Sequence, residues 1–103
     1  MPAYLTVART SEIPAGQVKT VTVDGERIAV ANVYGTFYAV EDRCSHDDGP
    51  LGEGTLRGEE IECPRHGARF DIKTGRPLRL PAVVPVRTYL VKVEGDELKV
   101  SLE

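Results

Sequence analysis

Cys44-Ser45-His46 and Cys63-Pro64-Arg65-His66 are the two segments that decide how this chain is organised. They contain both cysteines and both histidines of the 103 residues. In an extended C-x-H segment the two side chains point the same way, and a C-x-x-H turn achieves this with one more residue. The sequence therefore predicts one metal centre with two sulfur and two nitrogen ligands: Cys44, His46, Cys63 and His66.

Two thiolates and two imidazoles are the ligand set of a Rieske [2Fe–2S] centre. We assign Cys44 and Cys63 to one iron and His46 and His66 to the other. Because imidazole is neutral, this centre carries less negative charge than a four-cysteine cluster and accepts an electron more easily. The ligand set therefore predicts a one-electron carrier that holds one [2Fe–2S] cluster.

Other interpretations of these four residues remain open. A zinc ion with the same ligands would give a zinc-stapled β-module for protein binding, although such sites usually place both cysteines before both histidines. A cluster that reports redox state would give a redox-sensing or regulatory subunit. A Cys44–Cys63 disulfide is disfavoured if the chain lies in a reducing compartment.

The composition predicts one domain, residues 1–103. The formal net charge is −3 and the basic residues are scattered, which argues against a nucleic-acid partner. No apolar run approaches the ~18 residues that span a bilayer, and the N-terminus lacks a signal-peptide pattern. We therefore expect a cytoplasmic protein without a membrane partner.

The residue pattern of most of the chain predicts short strands separated by turns. Asp24-Gly25 suits a two-residue hairpin and Tyr34-Gly35 indicates a second turn, so residues 17–40 are predicted to form a three-stranded meander. Ser11 is predicted to cap a short turn that Pro14 ends. No strand is assigned before residue 17. Further strands are predicted at 55–57, 60–63, 69–72, 86–93 and 97–102.

From Val40 to about Val86 the sequence resembles the Rieske ferredoxins. The resemblance rests on CSHDDGPLGEG (44–54), CPRHGARFD (63–71), and Thr74-Gly75-Arg76-Pro77 with Leu80-Pro81-Ala82. It implies an all-β fold, a Rieske-type antiparallel β-sandwich or barrel-like domain. A small cluster-binding subdomain of two ligand loops is expected at about residues 42–82.

The resemblance is to the soluble ferredoxins of ring-hydroxylating dioxygenase systems. It implies an electron-transfer protein, not an enzyme, and we find no catalytic constellation. The partners it implies are a flavin-dependent ferredoxin reductase as electron donor and a terminal oxygenase as acceptor.

The departures from the family pattern bear on the reduction potential. Respiratory and photosynthetic Rieske proteins carry a loop-tying disulfide, and the matching positions here are Gly49 and Arg65. They also place serine and tyrosine hydroxyls near sulfur, where this chain has Ala68 and Phe70. Because missing donors disfavour the more negative reduced state, we predict a potential near the low end of the Rieske range, about −150 mV.

An apolar rim around the ligand histidines is a further expectation. Its candidates are Pro50, Leu51, Pro81 and Ala82, and a core position for Leu51 remains an equal alternative.

Overall fold

The computed structural model describes residues 3–43, 50–64, 67–80 and 82–102, and every structural statement below concerns these residues. The strands of the large sheet are β1 (Tyr4–Arg9), β2 (Val18–Val23), β3 (Glu26–Val33), β4 (Thr36–Glu41), β9 (Thr88–Glu94) and β10 (Glu97–Ser101). Those of the small sheet are β5 (Thr55–Arg57), β6 (Glu60–Glu62), β7 (Arg69–Asp71) and β8 (Pro77–Arg79).

The large sheet is antiparallel, with the strand order β1-β10-β9-β4-β3-β2. Its two end strands, β1 and β2, also contact each other, so that the sheet nearly closes into a barrel. The small sheet is also antiparallel and has the order β5-β6-β7-β8. The predicted all-β, barrel-like fold is confirmed.

Strand β3 joins two hydrophobic cores. Since successive side chains of a strand point to opposite faces, its residues 28–31 alternate between them. Ile28 and Val30 pack inside the barrel, and Ala29 and Ala31 pack with the small sheet. This double burial explains why β3 is a nearly continuous apolar run.

Both predicted hairpin turns are present. Asp24 and Gly25 have φ values of 49° and 81°, and Tyr34 and Gly35 have φ values of 52° and 93°. Two consecutive positive φ values are the type I′ geometry that matches the twist of the flanking strands.

Strand β1 was missing from the prediction. It pairs with β10, as Tyr4 with Ser101 and Leu5 with Val100, and a register irregularity lies between Thr6 and Ala8. Its partner is the C-terminal strand, so the local sequence carries little sign of this pairing.

The predicted cap by Ser11 is wrong. Ser11 lies inside a 3-10 turn, Thr10–Glu12, and the Arg9 backbone N–H donates to the Glu12 carboxylate instead (3.1 Å). The other helical element of the described residues is a second 3-10 turn, Leu51–Glu53. Neither three-residue turn is long enough to cross a membrane.

Candidate metal centre

Of the four predicted ligands, the structure describes Cys63. Cys44, His46 and His66 lie outside the described residues, as do Gly49, Arg65 and Pro81. Within the described ranges no three histidine, cysteine, aspartate or glutamate side chains gather to hold a metal ion. The full ligand set therefore stays a prediction, and the structure shows the frame around one member.

Cys63 follows β6 directly and begins a tight turn into β7. Its backbone N–H donates to the carbonyl of Ala68 (2.7 Å), and the N–H of Gly67 donates to the carbonyl of Cys63 (3.2 Å). Gly67 has a φ of 72°, a conformation that favours glycine. The small sheet thus closes the second predicted ligand loop at its base by backbone hydrogen bonds.

The Cys63 residue is buried, with 1% of its surface exposed. It belongs to the core shared by the small sheet and β3, together with the fully buried Ala68 and Phe70. A thiolate is the form that binds metal, and a buried thiolate requires a positive partner. The buried Cys63 at a loop base fits an iron ligand, since bound iron would supply that positive charge. A [2Fe–2S] cluster bound there would take up and release one electron.

Ala68 and Phe70 supply no hydroxyl to this region. Both are fully buried beside Cys63 in the same core, so their side chains give a ligand sulfur no O–H donor. This observation agrees with the physical basis of the low-potential prediction, while the potential itself stays a prediction.

An Ala68→Ser variant is expected to raise the reduction potential by about 60 mV. A new hydroxyl donor to sulfur stabilises the more negative reduced state, and a tenfold change in a one-electron equilibrium corresponds to about 59 mV. Redox titration of both proteins measures the difference. The matched control is Ala39→Ser, which places a hydroxyl in the separate barrel core. An equal rise in both variants would contradict the local explanation.

The outer face of the small sheet carries charged side chains next to the Cys63 turn. The Nε of Arg57 donates to the Glu62 carboxylate (2.6 Å), and Arg69 Nη2 lies 3.7 Å from the same oxygen. The hydrogen bond from Arg57, with the charges of Arg57, Arg69 and Arg79, lowers the pKa of Glu62 against a smaller opposing effect of desolvation. Glu62 therefore keeps its negative charge to lower pH than an isolated glutamate.

The predicted apolar rim around the ligand histidines needs correction at Leu51 and Ala82. Leu51 is fully buried and Ala82 is 5% exposed, and both pack in the core that contains Cys63. The alternative of a core position for Leu51 is the one observed. Residues 78–84 instead expose four other large apolar side chains, those of Leu78, Leu80, Val83 and Val84.

The chain thus combines a nearly closed antiparallel barrel with a small sheet that holds a buried cysteine at the base of a tight loop. This combination defines the class of protein to which it is compared. The family model of the Rieske [2Fe-2S] domain matches residues 3–90. The chain belongs to the Rieske [2Fe-2S] domain family, and it is an electron carrier with one [2Fe–2S] cluster.

Individual relatives agree with this assignment. The naphthalene 1,2-dioxygenase ferredoxin component of Pseudomonas aeruginosa is 44% identical over 91 residues, which cover 88% of each chain. The biphenyl 2,3-dioxygenase ferredoxin component of Rhodococcus jostii RHA1 is 41% identical, covering 98% of this chain and 94% of the relative.

A chain in the solved complex of reduced oxygenase and oxidized ferredoxin of carbazole 1,9a-dioxygenase is 38% identical, with a TM-score of 0.91. The match covers 98% of this chain and 94% of that one. Because the curated relatives are named as ferredoxin components, the prediction of an electron carrier that is not itself an enzyme is confirmed. The family match also favours iron over the zinc alternative.

Proposed function

We propose that this protein receives electrons from a flavin-dependent ferredoxin reductase and passes them singly to a terminal oxygenase. The observation that carries the proposal is the identity of 37–44% with ferredoxin components of naphthalene and biphenyl dioxygenase systems. The resemblance to a chain in a solved oxygenase–ferredoxin complex supports an oxygenase as the acceptor. A cytoplasmic location belongs to the same proposal.

The cluster site of this proposal is Cys44 and Cys63 on one iron and His46 and His66 on the other. What supports it is the burial of Cys63 at a closed loop base and the family match through both segments. The region of about 42–82 would then form a cluster-binding subdomain within a single domain, residues 1–103. The core that the small sheet shares with β3 supports one cooperative unit.

Electron transfer is proposed to occur at the end of the molecule that carries His46 and His66. Leu80 and Val83 are 73% and 68% exposed, and they flank the segment in which Ala82 packs into the Cys63 core. They are exposed apolar side chains on the segment that packs, through Ala82, into the core that contains Cys63. Apolar contact of this limited size suits a brief encounter with an oxygenase.

The test is stopped-flow transfer from the dithionite-reduced protein to the oxidised oxygenase of a biphenyl or naphthalene system. We expect rapid single-electron transfer from the wild type and a rate about tenfold lower for Leu80→Ser, with an unchanged visible spectrum. Leu90→Ser is the matched control, since Leu90 is 53% exposed on β9 of the barrel. Failure to reduce any such oxygenase would favour the redox-sensing alternative, and equal rates in both variants would contradict the proposed end of transfer.

A further inference from the structure

The chain enters the first predicted ligand segment from a firmly held strand end. At the end of β4, the Glu41 N–H donates to the carbonyl of Arg87 (2.9 Å). The next residue, Asp42, donates its N–H to the carbonyl of Arg27 (3.0 Å) and accepts from the Arg27 guanidinium (3.3 Å). Residues 41–42 are thus held by β3 on one side and by the residue before β9 on the other, and Asp42 lies two positions before Cys44.

The chain leaves the segment through the second 3-10 turn, which is also fixed. Leu51 is fully buried in the core shared with the small sheet. Gly52 lies so close to β2 that a Cβ there would be 2.1 Å from Thr20 Oγ1 and 2.8 Å from Asp42 Oδ1. No residue with a side chain fits at position 52 without displacement of these atoms.

A buried carboxylate joins the two ends. Asp42 is 3% exposed, and its Oδ1 accepts a hydrogen bond from the Gly52 N–H (2.5 Å). A charged side chain is rarely buried unless it has a specific partner. Oxygen of a carboxylate is a strong acceptor for a backbone N–H, and burial strengthens the bond.

The two ligand loops differ in how their bases are closed. The second uses its own backbone, through the hydrogen bond from Cys63 N–H to Ala68. In the described part of the first ligand loop, no backbone–backbone hydrogen bond connects residues 41–43 with residues 50–54. The Asp42 side chain therefore supplies a connection that the backbone makes in the second loop.

We propose that Asp42 is a positioning residue, which holds the first ligand loop closed by accepting the Gly52 N–H. The inference rests on the proposed ligands Cys44 and His46, which lie between the two joined ends. Eight residues separate Asp42 from Leu51, and loss of this bond removes one of the contacts that fix the C-terminal end of the loop, leaving the burial of Leu51 to anchor it. Cys44 and His46 then hold the cluster in a wider range of geometries, and the cluster is released faster.

The test compares Asp42→Ala with Asp42→Asn in the cluster-loaded protein. Asparagine keeps an acceptor oxygen, whereas alanine does not. We expect cluster loss to an iron chelator, followed by visible absorbance, to be about tenfold faster in Asp42→Ala, as for loss of one buried charge-assisted hydrogen bond. Its reduced-state EPR lines should also broaden. Asp42→Asn should lose its cluster at a rate within about twofold of the wild type, because it keeps the hydrogen bond. This change is small compared with the roughly tenfold effect expected when the bond is lost.

Two controls separate this inference from the proposed function. Asp96→Ala removes an exposed carboxylate that pairs with Arg9, and it should release its cluster at the wild-type rate. His46→Ala should lose the cluster altogether, and retention there would mean that the ligand assignment is wrong. If His46→Ala loses the cluster while Asp42→Ala matches the wild type, the role of Asp42 alone is wrong.

Hydrogen–deuterium exchange decides the question even if Asp42→Ala does not fold. The Gly52 amide of the wild-type holoprotein should exchange at least about tenfold slower than an unprotected amide, because it is bonded and buried. Asp42→Asn should retain that protection. Unprotected exchange at Gly52 in the wild type would overturn the inference, as would tenfold faster cluster loss from Asp42→Asn.

Discussion

A Cys63→Ala variant is expected to fold and to contain no [2Fe–2S] cluster. Cys63 is buried at the base of the second ligand loop, and its backbone hydrogen bonds to Ala68 and Gly67 do not need the thiol. The loop frame should therefore survive, while one iron would lose one of its two proposed cysteine ligands. Iron content and visible absorbance of the purified protein measure the effect, which we expect to be complete.

Val86→Ala is the matched control for truncation in the same core. Val86 is 4% exposed and packs in the cluster of side chains that includes Cys63. This variant should lose stability, by roughly 1–2 kcal/mol for a buried aliphatic truncation, and keep its iron. Wild-type iron content in Cys63→Ala would show that Cys63 is only a packed core residue.

A Gly75→Ala variant is expected to lose about 3 kcal/mol of folding stability. Gly75 has a φ of 78°, and a left-handed conformation costs a residue with a side chain roughly 1–2 kcal/mol. A Cβ there would also lie 2.1 Å from the carbonyl oxygen of Val86, and such overpacking costs about 1–3 kcal/mol more. Since Val86 N–H donates to the Gly75 carbonyl (3.0 Å), the variant would loosen the contact that joins the small sheet to the start of β9.

Gly25→Ala separates the two contributions. Gly25 has a similar φ of 81°, but a Cβ there would meet no atom within 4 Å. Its loss should be limited to the backbone cost of roughly 1–2 kcal/mol. Denaturant unfolding of both variants compares the free energies, and each kcal/mol should lower Tm by about 4–8 °C. Equal losses of folding free energy in the two variants would mean that the close approach of Gly75 to Val86 does not contribute to the destabilisation.

Much of the fold follows from local sequence. Asp24-Gly25 specifies a type I′ turn because both residues tolerate positive φ, and the apolar run of β3 indicates a strand buried on two faces. β1 could not be assigned in this way. Its position depends on pairing with β10, and a register irregularity interrupts that pairing.

The kind of cofactor was predictable from the sequence, whereas the surroundings of Cys63 were less so. The ligand prediction rests on residue types and spacing, which are local. The core position of Leu51 has no such signal, because a single apolar residue between Pro50 and Gly52 shows no periodicity. Asp42 was also missed, since a carboxylate at the start of a loop is normally exposed and its burial depends on the approach of Gly52.

The most direct test of the account is EPR of the dithionite-reduced protein grown with ¹⁵N-labelled histidine. The chain has two histidines, so nitrogen coupling from the label can be assigned to His46 and His66. The account predicts an average g value below that of all-cysteine clusters, with hyperfine coupling from two histidine nitrogens. A reduced cluster with no histidine coupling, or a folded protein without iron, would contradict it.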